Sequence, residues 1–348
     1  MVIKPTVIRP MVRRIIVTGG SGMLGANLVQ RLRGDGHDVS GVDIRDTADE
    51  VADIRDLAAM TRAFRGADAV VHTASALPTY PADQIRSIIV DGTSTVLAAA
   101  RAAGVGRFVH ISSTAVYGLP VQVPTVEDQP HAPVDHYSAA KSAAELIAAK
   151  WRDTGMCVPI LRPKTFLGPG RMGLFAMLFE WADEGRHFPV LGSGDVRVQM
   201  FAIADLVDAI VTVLDAPDDV AGDTYNLAAA EFGTIREDFQ AVLDEAGHGK
   251  RVVSLPGRPT VAVLGLLQRV GLSPVYNRLL HKLLADSYVS IDKARERLGF
   301  SPAMSNRDAI LATYRWWREN RPQQGAASGR TSREPWRQGA LGLAKAFF

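Results

Sequence analysis

A chain of 348 residues, 47% apolar and 22% charged, is long enough to bury a sizeable core and too apolar to be disordered throughout. Its 39 basic and 37 acidic residues leave a formal net charge of +2, which excludes a broad electrostatic footprint for nucleic acid or an anionic membrane. The single cysteine, Cys157, permits no internal disulfide, and the sequence offers neither an export-type apolar leader nor 18 uninterrupted apolar residues. The expectation is therefore a cytoplasmic protein without a membrane span.

From residue 13 short β-rich runs alternate with longer helix-favouring stretches, the rhythm of an α/β fold with a doubly wound parallel sheet. Strands are predicted at 13–18 (R-R-I-I-V-T), 37–43, 68–73, 107–113 and 157–162. The alanine-rich segment 93–103 predicts a packing helix that ends at Gly104. After Pro163 the rhythm gives way to Gly/Pro-rich turns and isolated helices, which predicts a smaller C-terminal region shaping a substrate pocket. The apolar run 261–272 reads as a buried helix or, alternatively, a greasy lid, and the polar, Gly/Ser-rich start of 321–348 predicts a flexible tail.

The segment T-G-G-S-G-M-L-G at 18–25 follows the first strand and opens a helix. Gly19, Gly22 and Gly25, with Met23 and Leu24 between them, form an anion site: no Cβ blocks close approach, and the helix N-terminus offers N–H groups and a positive dipole end. Asp43, about 20 residues further on at the end of the second strand, is placed to accept from ribose hydroxyls and to repel a 2′-phosphate. That favours NAD over NADP and a Rossmann-type arrangement, although Arg45 leaves room for NADP. Asp53, with Ile54, lies at the next turn, where it is expected either to receive the adenine amino group or to cap the following helix. Thr73 and Ala74 in H-T-A-S are small enough to let a dinucleotide pass the third strand.

Tyr137 and Lys141 are four residues apart in the helix-compatible Y-S-A-A-K, so both side chains share a face. A neighbouring ammonium favours the phenolate and turns tyrosine into a usable base. Ser113, at the end of the fourth strand, is placed to donate to the substrate oxygen while Tyr137 exchanges its proton. His72, His110, His131 and His136 form no metal-ligand pattern, and no metal is expected.

Together T-G-G-S-G-M-L-G, H-T-A-S, I-S-S-T-A-V-Y-G, Y-S-A-A-K and L-R-P-K-T-F-L-G-P-G resemble the extended short-chain dehydrogenase/reductase superfamily, particularly its NAD-dependent sugar-nucleotide epimerase/dehydratase branch, over roughly residues 13–320. The resemblance implies an enzyme with Ser113, Tyr137 and Lys141 as the catalytic set, Ser112 serving the strand end, and NAD as cofactor. It implies a NAD-binding domain of residues 13–165 with parts of 190–230, and a substrate-binding region of 166–190 and 231–320. It also implies a homodimer through helices in segments 81–103 and 135–153. Where sugar dehydratases of that branch carry an Asp-Glu pair and the related decarboxylases a Glu, this chain has Thr114 and Ala115. Reversible oxidation and reduction, with epimerisation of a nucleotide sugar first, is the expected chemistry.

V-L-G-S-G-D-V-R-V-Q at 190–199 resembles the family's diphosphate-binding segment, which nominates Arg197 and Gln199 beside Ser113, Thr114 and Thr165 for substrate. Asp205 is expected to fix the start of the helix that follows. Two departures bear on the substrate: the family's Asn before D-G-T is Ile89, and another Asn position is Thr165, with Lys164 beside it as a substitute phosphate contact. Two rival readings remain open: a dehydrogenase or ketoreductase for an apolar alcohol or ketone, and a non-catalytic NAD-binding sensor.

Overall fold

The computed structural model describes residues 12–170, 174–257, 259–260, 284–320 and Lys345. The expectations for 261–272 and, Lys345 apart, for the 321–348 tail concern residues outside that set.

The first half alternates as its hydrophobic pattern requires: β1 (Arg14–Thr18), α1 (Met23–Gly34), β2 (Asp38–Asp43), β3 (Glu50–Val51), α2 (Leu57–Ala63) and β4 (Ala69–His72). Next come α3 (Ala82–Arg86) and α4 (Gly92–Ala102), joined by a π-helical turn over Ser87–Asp91, then β5 (Arg107–Ile111), a 3-10 turn over Thr114–Tyr117, and α5 (His136–Lys150). The second half runs β6 (Ile160–Pro163), β7 (Thr165–Leu167), α6 (Leu174–Asp183), β8 (Phe188–Leu191), β9 (Met200–Ala202), α7 (Ile203–Asp215) and α8 (Asp218–Ala221). It closes with β10 (Thr224–Leu227), α9 (Ile235–Ala246), β11 (Val252–Leu255), α10 (Asp292–Leu298) and α11 (Asn306–Glu319).

Seven strands form one parallel sheet in the order β10-β6-β5-β4-β1-β2-β3. Successive side chains of a strand point to opposite faces, and β1 shows the consequence. Ile15 and Val17 pack with Leu28 of α1 and Leu206 and Ile210 of α7, whereas Ile16 packs with Met60 of α2 and Val96 and Leu97 of α4. Both faces are therefore covered, as a parallel sheet demands. The strand order reverses at β1, between β2 and β4, which opens a crevice beyond the carboxyl ends of the strands.

A separate apolar cluster, with Phe179, Trp181, Phe188, Phe239, Val242, Ile310 and Tyr314, joins α6, α9 and α11 to the two-stranded pairs β7–β9 and β8–β11. Asp205 does not cap a helix as expected. It lies within the first turn of α7, whose cap position is Ala202, and its carboxylate accepts from the amides of Ala303 (3.0 Å) and Met304 (3.2 Å). The acid thus ties the approach to α11 onto the start of α7. Among the described residues no helix is long and apolar enough to cross a membrane.

Candidate active site

Beyond the carboxyl ends of β1, β4, β5 and β6 lies a cleft of about 450 Å³. Its floor at β1 is built from glycine for steric reasons. Gly19 has φ +73°, and a Cβ there would stand 2.7 Å from the backbone of Ala74. A Cβ on Gly25 would meet the carbonyl oxygen of Gly19 at 2.1 Å. Helix α1 begins at Gly22 with no side-chain cap and no acid in its first turn, so the positive end of its dipole is left for an anion. Gly22, Met23 and Leu24 line the same wall.

Asp43 ends β2 at the cleft edge, its carboxylate accepting from the amides of Ser21 (3.1 Å) and Arg45 (3.2 Å). Each oxygen keeps acceptor capacity for a ribose. The Arg45 guanidinium reaches back to the carbonyl of Ser21 at 3.3 Å. Asp53 also lines the cleft, but it does not cap α2. That role falls to Asp56, which accepts from the Ala59 amide at 2.9 Å, while Asp53 pairs with Arg55, whose hydrogen bonds hold its carboxyl below the ordinary range. Ile54, Thr73 and Ala74 complete this wall, with Thr73 Oγ1 donating to the Thr18 carbonyl at 2.7 Å. A cradle that a Cβ would fill, a helix N-terminus and a fixed carboxylate at ribose height together fit NAD.

At the other end β5 and α5 bring the catalytic candidates to the same cleft. The Asp135–Ser138 capping box (2.7 Å) starts α5 and presents half-buried Tyr137, with Lys141 one turn on. Lys141 is buried, its Nζ donating to the Ile111 carbonyl at 2.9 Å. Burial pushes its ammonium down from 10.5 to about 8, against the opposing pull of the Glu145 carboxylate. Ser113 opens the 3-10 turn, and its Oγ accepts from the Ala115 amide at 3.2 Å, leaving the hydroxyl hydrogen to donate outward. Thr114 and Ala115 line the cleft without supplying an acid or base.

Lys164, Thr165 and Phe166 form the facing wall. The Lys164 ammonium donates to the carbonyl (2.8 Å) and hydroxyl (2.9 Å) of Ser287, so it serves a chain contact as well as the wall. The structure does not bring Gln199 to the cleft. Gln199 is buried, giving its amide nitrogen to the Ala229 carbonyl (2.8 Å) and its oxygen to the Val289 amide (2.9 Å). Arg197 is exposed outside the cleft lining, its guanidinium over the rings of Phe232 (4.7 Å) and Tyr288 (5.1 Å). Ile89 is buried in an apolar cluster with Ile85, Ala140 and Ala144.

Sequence reasoning missed a buried polar network behind the catalytic helix. Glu145 accepts from Ser112 Oγ (2.6 Å) and Arg162 Nε (2.9 Å), Arg162 donates to Tyr117 Oη (2.5 Å), and Tyr117 donates to Asn226 Oδ1 (2.8 Å). Burial pushes Glu145 up, but the hydrogen bonds from His131, Arg162 and Ser112 outweigh it and hold the carboxyl down to about 2. The available signal was an acid four residues after Lys141 and an arginine inside the apolar run of β6. Neither charge belongs in a core unpaired.

The NAD dependent epimerase/dehydratase family model matches residues 15–228. An uncharacterised protein of Sinorhizobium fredii is 35% identical, covering 96% of this chain and 86% of its own length. A dTDP-glucose 4,6-dehydratase of Streptomyces niveus is 30% identical, covering 88% of this chain and 94% of its own. In fold, the chain is similar to a UDP-glucose 4-epimerase of Thermotoga maritima solved with UDP-glucose, with a TM-score of 0.74 and 22% identity over 89% of this chain and 100% of that one.

Proposed function

Because this chain belongs to the NAD-dependent epimerase/dehydratase family, we propose that it epimerises a nucleotide sugar by reversible oxidation of one hydroxyl. The observation that carries this reading is Ser113, Tyr137 and Lys141 on one cleft with the nucleotide cradle, and Thr114 and Ala115 where elimination requires an acid.

When bound, NAD supplies the position that takes up a hydride and gives it back. The chain's own residues manage the proton and the orientation. The Tyr137 phenolate accepts the hydroxyl proton, and the Ser113 hydroxyl donates to the same oxygen. Lys141, held by the Ile111 carbonyl, keeps positive charge beside the phenolate and holds the nicotinamide ribose. Met23, Leu24 and the three loop glycines hold the pyrophosphate, Asp43 the adenosine ribose, and Asp53 with Ile54 the adenine. The substrate set is Ser113, Thr114 and Thr165, with Arg197 for the diphosphate at the outer rim. The residue 287 amide donates to the Arg197 carbonyl at 2.8 Å, which sets that rim beside the Lys164 wall.

A second reading, a dehydrogenase or ketoreductase for an apolar alcohol or ketone, is favoured by the apolar lining of the cleft: Ala76, Leu77, Pro78, Ile88 and Phe166. The deciding experiment incubates the protein with UDP-, GDP- and dTDP-sugars without added reductant and follows products by NMR, with Tyr137→Phe as control. A Tyr137-dependent epimer is the expected result. Net consumption of NADH with an apolar ketone and no turnover of any sugar nucleotide selects the second reading, and nucleotide binding without turnover of either class selects a sensor. The division into a NAD-binding domain of 13–165 with parts of 190–230, and a substrate-binding region, is part of this proposal, as is a cytoplasmic homodimer.

A further inference from the structure

Glu145 lies one helical turn beyond Lys141, so the two side chains share a face of α5. Its buried carboxylate joins the elements that carry the chemistry. It accepts from Ser112, the neighbour of Ser113 at the end of β5, and from Arg162, the residue before the cleft-lining Pro163 on β6. His131, in the segment leading into α5, stands 3.3 Å away. A partner needed only to neutralise Arg162 requires neither the bond to Ser112 nor a place beside Lys141.

We infer that Glu145 is a positioning residue for the reaction: through Ser112 it fixes Ser113 against α5, and its charge keeps Lys141 protonated within a buried site. The inference rests on the catalytic reading of the same cleft. The groups acting on Lys141 come from three elements: Glu145 on α5, His110 on β5 and His72 on β4. Burial pushes His110 down to about 3 and His72 well below its ordinary value, so both rings are neutral at physiological pH. Among the described residues Glu145 is the carboxylate that acts on Lys141. Removing that charge lets the ammonium lose its proton at lower pH.

The test measures NADH affinity by fluorescence from about pH 6 to about pH 10, a range that brackets the Lys141 value of about 8. The proteins compared are wild type, Glu145→Gln, Glu145→Asp, Arg162→Met and, as control, Lys141→Met. In Glu145→Gln the alkaline loss of affinity is expected to move about one unit to lower pH, a weakening of about threefold midway between the two midpoints that approaches about tenfold above both. Glu145→Asp restores it, Arg162→Met does not move it down, and Lys141→Met abolishes it. Where Glu145→Gln fails to fold because Arg162 is left unpaired, Glu145→Gln/Arg162→Met removes both charges and gives the same readout. Equal losses of affinity and melting temperature in Glu145→Gln and Arg162→Met, with unmoved midpoints, would make Glu145 merely structural and overturn the inference. Binding is read without substrate, so failure of every sugar nucleotide to react would sink the epimerase reading and leave this result standing.

Discussion

The Asp43 carboxylate is immobilised by two backbone amides, from Ser21 and Arg45, at the point where an adenosine ribose would lie. A fixed negative charge there repels a 2′-phosphate, whereas Arg45 is already engaged with the Ser21 carbonyl. Asp43→Ser is accordingly expected to raise the NADPH-to-NADH affinity ratio about 10- to 100-fold, one to two units of interaction between like charges. Equal weakening of both nucleotides in a fluorescence titration would contradict that. Gly25→Ala forces a methyl carbon to 2.1 Å from a backbone oxygen that cannot swing aside, so loss of NADH binding or of folded protein on expression is the expected outcome. Tyr137→Phe keeps the ring but not the proton, and should lower turnover by about 100- to 10,000-fold with NADH affinity nearly unchanged. Such residues were legible because their evidence is local: four residues separate Tyr137 from Lys141, and six separate Gly19 from Gly25. Gln199 was misjudged for the opposite reason. The partners of its amide lie 30 and 90 residues away, at Ala229 and Val289, and no local pattern announces them.

Helix α9 shows what an element can carry that its sequence pattern hides. Its Thr234–Glu237 capping box and apolar face are readable. The burial of Asp238, whose carboxylate accepts from Asn306 Nδ2 at 3.0 Å, depends on α11 docking beside it. Burial pushes Asp238 up from 3.8 to about 6. The folded protein therefore binds more protons than the unfolded chain between those values, and stability falls as pH rises through them. Asp238→Asn, which imitates the protonated acid, is expected to raise the melting temperature near pH 8 by about 2–4 °C and to give no gain near pH 4. An equal gain at both pH values would assign the effect to packing instead. The same limit holds at the π-helical turn over Ser87–Asp91, which places Ile88 on the cleft and Ile89 in the core: composition predicted helix only for 93–103, and a turn of this kind leaves no compositional trace.

For the whole molecule, the alternation of strand and helix was enough to specify a parallel sheet covered on both faces, because the central strands β1, β4 and β5 carry successive buried apolar residues that face both ways. The polar joint of Glu145, Arg162, Tyr117 and Asn226 was not legible, since it forms only when β5, β6, β10 and α5 meet. A homodimer is expected to bury Leu146, which stands 56% exposed on α5. Sedimentation should give twice the monomer mass, and Leu146→Glu should shift it toward one. The short stretch 286–290 has a consequence of a different kind. Ser287 receives Lys164 from 123 residues earlier, and the Val289 amide reaches Gln199 from 90 residues earlier. The proposed nucleotide cradle is built from residues 19–74, and the partners of Asp43 and Thr73 lie within the first 74 residues of the chain. During synthesis on the ribosome, then, every residue of the proposed adenosine end has emerged while the far wall is still unmade, and that wall closes only after Ser287 and Val289 have followed.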